Sequence, residues 1–316
     1  MRALAAYIMR GPLQAMLVTA ALALVALVPV LGVVSVLSGA ALALVTLRHG
    51  ARQGLIVLLG ASVITGAFMY FVFGSMALGM GYTLLMWLPL WLLALVLRST
   101  ASWSILVDAA AALGLAVIVV FYAVTGDPVQ FWQSLLSQMV SAMSAQGGGM
   151  AELETLQDQL PVFARWLTGM LAGALIAGLV FSLMVGRWWQ SLLYNPGGFR
   201  QEFFELRQSR IAALIVLFIL ALSLPELGWL SDIAGDMMIV VVMLYSIVGL
   251  ALVHAVVARK GKHVGWLVAL YILLFIMPPQ IMMALASAGF VDSWVDFRRR
   301  LVSTAAKVDD DRHDNQ

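Results

Sequence analysis

Long apolar runs, each closed by glycine, proline or basic residues, set the pattern of this chain. Residues 13–28 make the first run, broken at Pro29 and Gly32, and 33–47 return. Further runs cover 55–73, 82–97, 104–124, 162–185, 211–224 and 237–258. Each approaches the roughly 17–25 apolar residues that a helix needs to cross a bilayer, so the pattern predicts eight full spans. A last run, 265–290, is interrupted by Pro278-Pro279. Its halves are roughly 11–13 residues, too short to cross comfortably alone. That predicts a broken hairpin returning Arg298-Arg299-Arg300 to the side the run left, with Gln280 placed to satisfy a carbonyl freed at the break. Breaks at membrane depth need shielding by protein or a water-filled cavity, so Pro29, Gly32, Pro278, Pro279 and Gln280 are candidate cavity positions.

Between the spans the period changes. Asp127-Pro128-Val129-Gln130 reads as a helix start, with Asp as N-cap and Pro at the first helical position. Phe131, Trp132, Leu135, Leu136, Met139, Val140 and Met143 then form one apolar face, with Gln and Ser opposite. This predicts an amphipathic helix lying on the membrane surface. Gly147-Gly148-Gly149 reads as a hinge, and 150–160 as a shorter acidic amphipathic piece. In 162–185, Gly169, Gly173 and Ala177 form one ladder of small residues; Ala174, Gly178, Ser182 and Gly186 form a second. Small faces let helices approach closely, so this span is expected to be central and buried on more than one side.

The segment 187–210 is the long polar and aromatic interruption. Arg187, Arg200, Arg207 and Arg210 sit among Trp188, Trp189, Tyr194, Phe199, Phe203 and Phe204. Asn195-Pro196-Gly197-Gly198 cannot continue a helix, which predicts a short helix, a turn and a second helix. Phe199, Phe203, Leu206 and Arg210 fall on one stripe of that second helix. Arginine and aromatics after a long span suit a cytoplasmic membrane interface, making Arg187, Trp188, Trp189, Tyr194, Phe199, Arg200 and Phe203 a candidate docking surface. An interface belt without a specific ligand is the plainer reading of the same residues.

Composition agrees: 63% of the residues are hydrophobic, 11% charged and the mean hydropathy is +0.99. A soluble globular domain is excluded, and the fold class is an all-α polytopic membrane protein. With the N-terminus in the cytoplasm and the spans alternating, seventeen of the eighteen Lys and Arg fall on the cytoplasmic side, Arg165 being the exception. The lipid bilayer is therefore the first partner, and the inner membrane of a bacterium the expected location. The chain has no cysteine, which removes disulfides and thiolate chemistry. The four histidines show no metal-ligand spacing, and no nucleotide or hydrolase motif occurs. No cofactor, no nucleic acid and no enzymatic activity are expected. Asp108 and His254 lie near span ends, where they can reach the interface, and Asp232 and Asp236 read as solvated helix-starting residues.

The run Gly289-Phe290-Val291-Asp292-Ser293-Trp294-Val295-Asp296-Phe297-Arg298-Arg299-Arg300 resembles the closing motif of the YybS-like family of bacterial membrane proteins. The stretches Arg187-Trp188-Trp189 and Asn195-Pro196-Gly197-Gly198-Phe199-Arg200 are similar to its proteobacterial branch. That family is distantly similar to the substrate-binding S components of energy-coupling-factor transporters and to the rod-shape protein MreD. The resemblance implies a six-helix S-component-like module over 1–186 that includes a periplasmic amphipathic segment, 127–160. A cytoplasmic connector, 187–210, a C-terminal membrane module, 211–300, and a polar tail, 301–316, would follow. The first helix lacks the Ala-xxx-Ala motif with which S components dock their coupling partner. Two functions are carried forward. One is a transporter-like protein with a small-molecule ligand in the bundle; the other is a non-transporting scaffold of envelope growth with a membrane protein partner. A deep polar cavity between spans would favour the first, and a close-packed module with an aromatic cytoplasmic groove the second.

Overall fold

The computed structural model describes residues 1–145, 150–225, 227–295 and 297, and they contain helices and turns without a strand. A short helix, α1 (Arg2–Ile8), precedes α2 (Pro12–Val25). The turn Pro29–Val34 is 3₁₀ and feeds α3 (Ser35–His49), which packs back along α2. Next come α4 (Ala51–Phe73), α5 (Ala77–Tyr82), a π-helical turn (Thr83–Trp87) and α6 (Leu88–Thr100). Then follow α7 (Trp103–Thr125), α8 (Pro128–Ala145) and α9 (Met150–Tyr194). The chain continues through α10 (Gly198–Glu205), α11 (Arg210–Ser223), α12 (Trp229–Arg259), α13 (Gly265–Ile276) and α14 (Pro278–Val295).

Among the described residues six helices are long and apolar enough to cross a membrane: Val30–His49, Ala51–Phe73, Ala77–Thr100, Trp103–Thr125, Gln159–Tyr194 and Trp229–Arg259. A seventh is reached if α10 and α11, bent by 54°, count as one. The helices α2 and α13 are apolar but shorter. The eight full spans expected from the apolar runs are thus six on length and composition. The difference lies in α2 and α11, whose helical parts are only 14 residues each.

Contacts sort the connections into two ends. At the basic end Arg98 donates to the Leu47 carbonyl, Arg48 lies 4.2 Å over the Tyr194 ring, and Trp103 reaches Glu202. At the opposite end Tyr122 and the Gly169 amide both donate to Asp236, at 2.8 and 2.9 Å. Asp236 is only 4% exposed, so it is not the solvated residue its position beside a loop suggested. Two donors fill its carboxylate, as a buried charge requires. Asp232 is the partly exposed one, 3.5 Å from Arg165.

The long helix α9 passes through Pro161 without ending, so the expected acidic piece 150–160 and span 162–185 are one rod. Its small residues are read by different neighbours along its length. A Cβ on Gly169 would come within 2.9 Å of the Asp236 backbone, and one on Gly173 within 2.6 Å of Met243 Sδ. Farther on, Ser182 fills the space above Gly39, and a Cβ on Gly186 would come within 2.8 Å of Ala43 Cβ. Between them Gly178 faces open space and Ala174 is exposed. The first ladder therefore serves α12, and only the lower half of the second serves α3.

Asp127 caps α8 as its spacing predicts, its Oδ1 accepting from the Gln130 amide at 3.0 Å. The helix does not stand alone on a surface, however. It packs along the first half of α9, where Trp132 Nε1 donates to Thr168 at 2.9 Å. The reason is Trp132 itself, whose ring also stacks on Phe121 of α7. Residues 74–81, which separate two of the apolar runs, are mostly the helix α5, since Gly79 lets it rest on Gly66 of α4.

The last run breaks as its prolines demand. Met277 leaves the helical region (φ −131°, ψ 61°), and Pro278 and Pro279 open α14, where the first turn needs no amide donors. Gln280 is exposed, and among the described residues its side chain bonds no carbonyl. The far end of α14 lies at the basic end, with Arg207 donating to the Asp292 and Ser293 carbonyls. Gly249 and Gly289 let α12 and α14 touch backbone to backbone. Gly147-Gly148-Gly149, Arg298-Arg299-Arg300 and the tail 301–316 lie outside the described residues.

Candidate functional site: an aromatic groove at the basic end

The segment 187–210 folds as helix, turn, helix. The long rod α9 runs through Arg187-Trp188-Trp189 to Tyr194, the turn covers Asn195–Gly197, and α10 follows. Gly197 takes φ 88°, a left-handed conformation that glycine adopts without penalty, and this turns α10 back across the bundle end. The second lip forms in the same way: Gly261, at φ 58°, reverses the chain after α12 and sets up α13. The helix α10 ends at Glu205, so Leu206 and Arg210 of the expected stripe are outside it; Leu206 is buried.

A clamp holds α10 down. Arg187 Nε and Nη2 reach the two oxygens of Glu202 at 3.0 and 2.6 Å, and Trp103 Nε1 donates to Oε2 at 3.1 Å. Such a fork is stronger and more directional than a point contact. Burial pushes the Glu202 carboxyl up, but the hydrogen bonds from Arg187 and Trp103 and the guanidinium charge more than reverse this. The group rests below its ordinary range.

Above the clamp runs a line of rings from α7 to α13. Trp103 meets Phe199 edge-on at 5.9 Å, Phe199 stacks on Phe203 at 5.9 Å, Phe203 meets His254 at 5.6 Å, and His254 meets Tyr271 at 5.8 Å. His254 Nδ1 lies 2.9 Å from the Leu250 carbonyl, which can only accept, so Nδ1 donates. In the neutral ring Nε2 is then the acceptor for the Tyr271 hydroxyl at 3.2 Å.

These elements enclose a groove of about 820 Å³. Its floor is apolar, with Phe181, Met184 and Val185 from α9, Leu250 and Val257 from α12, and Leu267 from α13. Arg200, Lys262 and His254 supply the polar side, and among the described residues no Asp or Glu lines it. Arg200 lies over the Phe204 ring at 5.2 Å, a cation–π contact. Neither Arg200 nor Lys262 forms an ion pair among the described residues. Size, apolar walls and a few convergent charges are the features of a ligand site.

Of the seven candidate docking residues, Trp188, Phe199, Arg200 and Phe203 line this groove. Arg187 is spent on the clamp, and Tyr194 lies under Arg48. Trp189 is fully buried, because it sits on the face of α9 turned toward the core. Sequence reasoning did not bring Lys262, His254 or Tyr271 to this surface, because nothing local shows that the chain after α12 returns over α10. The other candidate positions are not drawn together. Gly32 lies at the 3₁₀ turn with open space around it, and Pro278, Pro279 and Gln280 open α14, away from the groove.

The middle of the first half is closed by packing. Leu42, Leu44, Trp87, Leu90, Ile176 and Leu183 are fully buried there. Trp87, held inward by the π-helical turn, donates to Ser38 Oγ at 3.2 Å, and Ser38 donates to the Thr19 carbonyl at 2.8 Å.

Helices of this length and apolarity, arranged in several passes between a basic and a non-basic end, define a multi-pass helical membrane protein. The chain belongs to a family of predicted membrane proteins, DUF2232, whose model matches residues 16–293. No curated protein and no solved structure matches it. The family match does not extend to S components or to MreD.

Proposed function

We propose that the protein is a non-transporting scaffold of the bacterial cytoplasmic membrane that works from the groove at its basic end. That end and the N-terminus face the cytoplasm in this reading, on the strength of the arginine distribution. The observation that carries the proposal is where space lies: the middle of the first half is filled by side chains, and an open, cationic, aromatic groove stands at the basic end. In the same reading α2, α3, α4, α5–α6, α7, α9, α11 and α12 cross the bilayer, and α13–α14 form a broken hairpin. The placement of both Lys262 and Ser293 at the basic end supports the hairpin. The six crossings up to Tyr194 equal in number those of an S-component module, but the proposal does not rest on that. No catalytic step is assigned.

A transporter-like protein with a ligand inside the bundle is the second reading. It draws on Thr19 and Thr65, whose hydroxyls are buried in the first half without a hydrogen-bond partner. Thiol labelling separates the two, because the chain has no cysteine of its own. Single cysteines at Phe204 and Val264, in and beside the groove, should react with a membrane-impermeant maleimide from the cytoplasmic face only. A cysteine at Ser38 should stay unreactive from both faces. Labelling of Ser38→Cys from either face in a folded protein would overturn the scaffold reading.

A further inference from the structure

The groove has the charge and shape for one kind of occupant. Arg200 and Lys262 stand at the rim beyond the span ends, and among the described residues neither forms an ion pair and no carboxylate lines the walls to compensate them. Its floor is apolar and continues onto the outer face of α13, where Trp266 and Ile276 are exposed. An occupant must therefore carry a concentrated negative charge at one end and a long apolar body at the other. Arg200 is already held over Phe204, so its fork of N–H donors is oriented before a ligand arrives, and such forks match phosphate oxygens. Trp188 beside it is partly exposed, in the position of an interfacial aromatic.

We infer that the groove is a binding site for a phosphate-bearing lipid with net negative charge. The phosphate lies between Arg200 and Lys262, and the acyl chain runs over the floor toward α13. This rests on the groove being the working surface. It goes further in that the surface is occupied by membrane lipid, so that a scaffold would be anchored to, and would report on, the anionic leaflet around it. The His254–Tyr271 pair has both ring nitrogens engaged and forms part of the wall, not a ligand for the head.

The test uses the full chain purified in a neutral detergent, with bound lipid counted by native mass spectrometry. Phosphatidylglycerol should add as a single retained molecule, while phosphatidylcholine, whose head is neutral overall, should be retained at least ten-fold less. Each interfacial cation contributes about five-fold in affinity for an anionic head. Arg200→Gln and Lys262→Gln should therefore each weaken retention about five-fold, and the pair roughly thirty-fold. Arg52→Gln, on the same basic end but off the groove, should change it less than two-fold. Val264→Glu, at an exposed rim position where folding is not at stake, should weaken it as well. Equal retention of the two lipids, or a double variant within two-fold of the parent, overturns the inference. So does equal occupancy by inorganic phosphate, or full displacement of the lipid by an acidic amphipathic peptide. None of these outcomes touches the thiol-labelling result at Ser38, so the occupant can fail while the scaffold reading stands.

Discussion

Replacing Gly249 with alanine puts the packing of α12 on α14 to a severe test. The new Cβ would sit 2.9 Å from the Leu285 Cα and closer still to its carbonyl. Carbon atoms at their optimum are about 3.5–4.0 Å apart, and the Leu285 carbonyl carbon would be at 2.5 Å, so α14 must retreat by roughly 1–1.5 Å. The obstacle is backbone, which cannot rotate away as a methionine tip could. Overpacking of this kind costs about 1–3 kcal/mol, and the upper end applies where only main chain can yield. Alanine returns about 1 kcal/mol as the better helix former, leaving a net loss of about 2 kcal/mol. Gly178→Ala is the control: it faces open space, so only the helix-propensity gain remains. Thermal unfolding in detergent, followed by tryptophan fluorescence and by the monodisperse fraction on gel filtration, should place Gly249→Ala below the parent and Gly178→Ala at or above it. If Gly249→Ala melts with the parent, the two helices do not meet at these glycines and the reasoning fails.

Other consequences are as direct. Glu202→Gln should weaken the α10 clamp by about 1–3 kcal/mol, because Arg187 loses its charged partner. Since the folded Glu202 titrates below its ordinary 4.5, its contribution is present above that pH and is lost as pH falls through the lower folded value. The acid-induced loss of stability should thus be smaller in Glu202→Gln than in the parent, as read by melting at a series of pH values. Asp236→Ala should cost about 2–4 kcal/mol by leaving the Gly169 amide and Tyr122 hydroxyl unpaired, whereas Asp236→Asn keeps an acceptor and should cost less than half of that. Single cysteines at Lys262 and Trp294 should label from the same face of the membrane; labelling from opposite faces would refute the hairpin.

The parts of this fold that sequence made legible are those fixed by local chemistry. Asp127 caps α8 because its carboxylate reaches the Gln130 amide three residues on, and the Pro278-Pro279 pair, with two adjacent residues lacking an amide donor, ends α13 and opens α14. What depends on distant partners was hidden. Small residues on 162–185 announce close packing but not against what. Only the structure shows Gly169 against Asp236, Gly186 against Ala43 and nothing against Gly178. Trp189 was counted as surface because its neighbours are polar, yet one step of helical rotation from Trp188 carries it into the core. The groove was half visible for the same reason: α10 announces its rings, while Lys262 and Tyr271 come from a segment that only a turn at Gly261 returns to them. Asp236 was misjudged because proximity to a loop in sequence is not exposure.

The helix from Thr168 to Arg187 joins two fastenings on one stiff body. At one end Thr168 is held by Trp132 of α8 and Gly169 by Asp236; at the other Arg187 grips the carboxylate of α10. About 28 Å of unbroken helix separates them, and Pro161 lies outside that stretch. One rod thus fixes the distance between the two fastenings, and the lip that carries Phe199 and Arg200 takes its position from α9 as well as from its own turn.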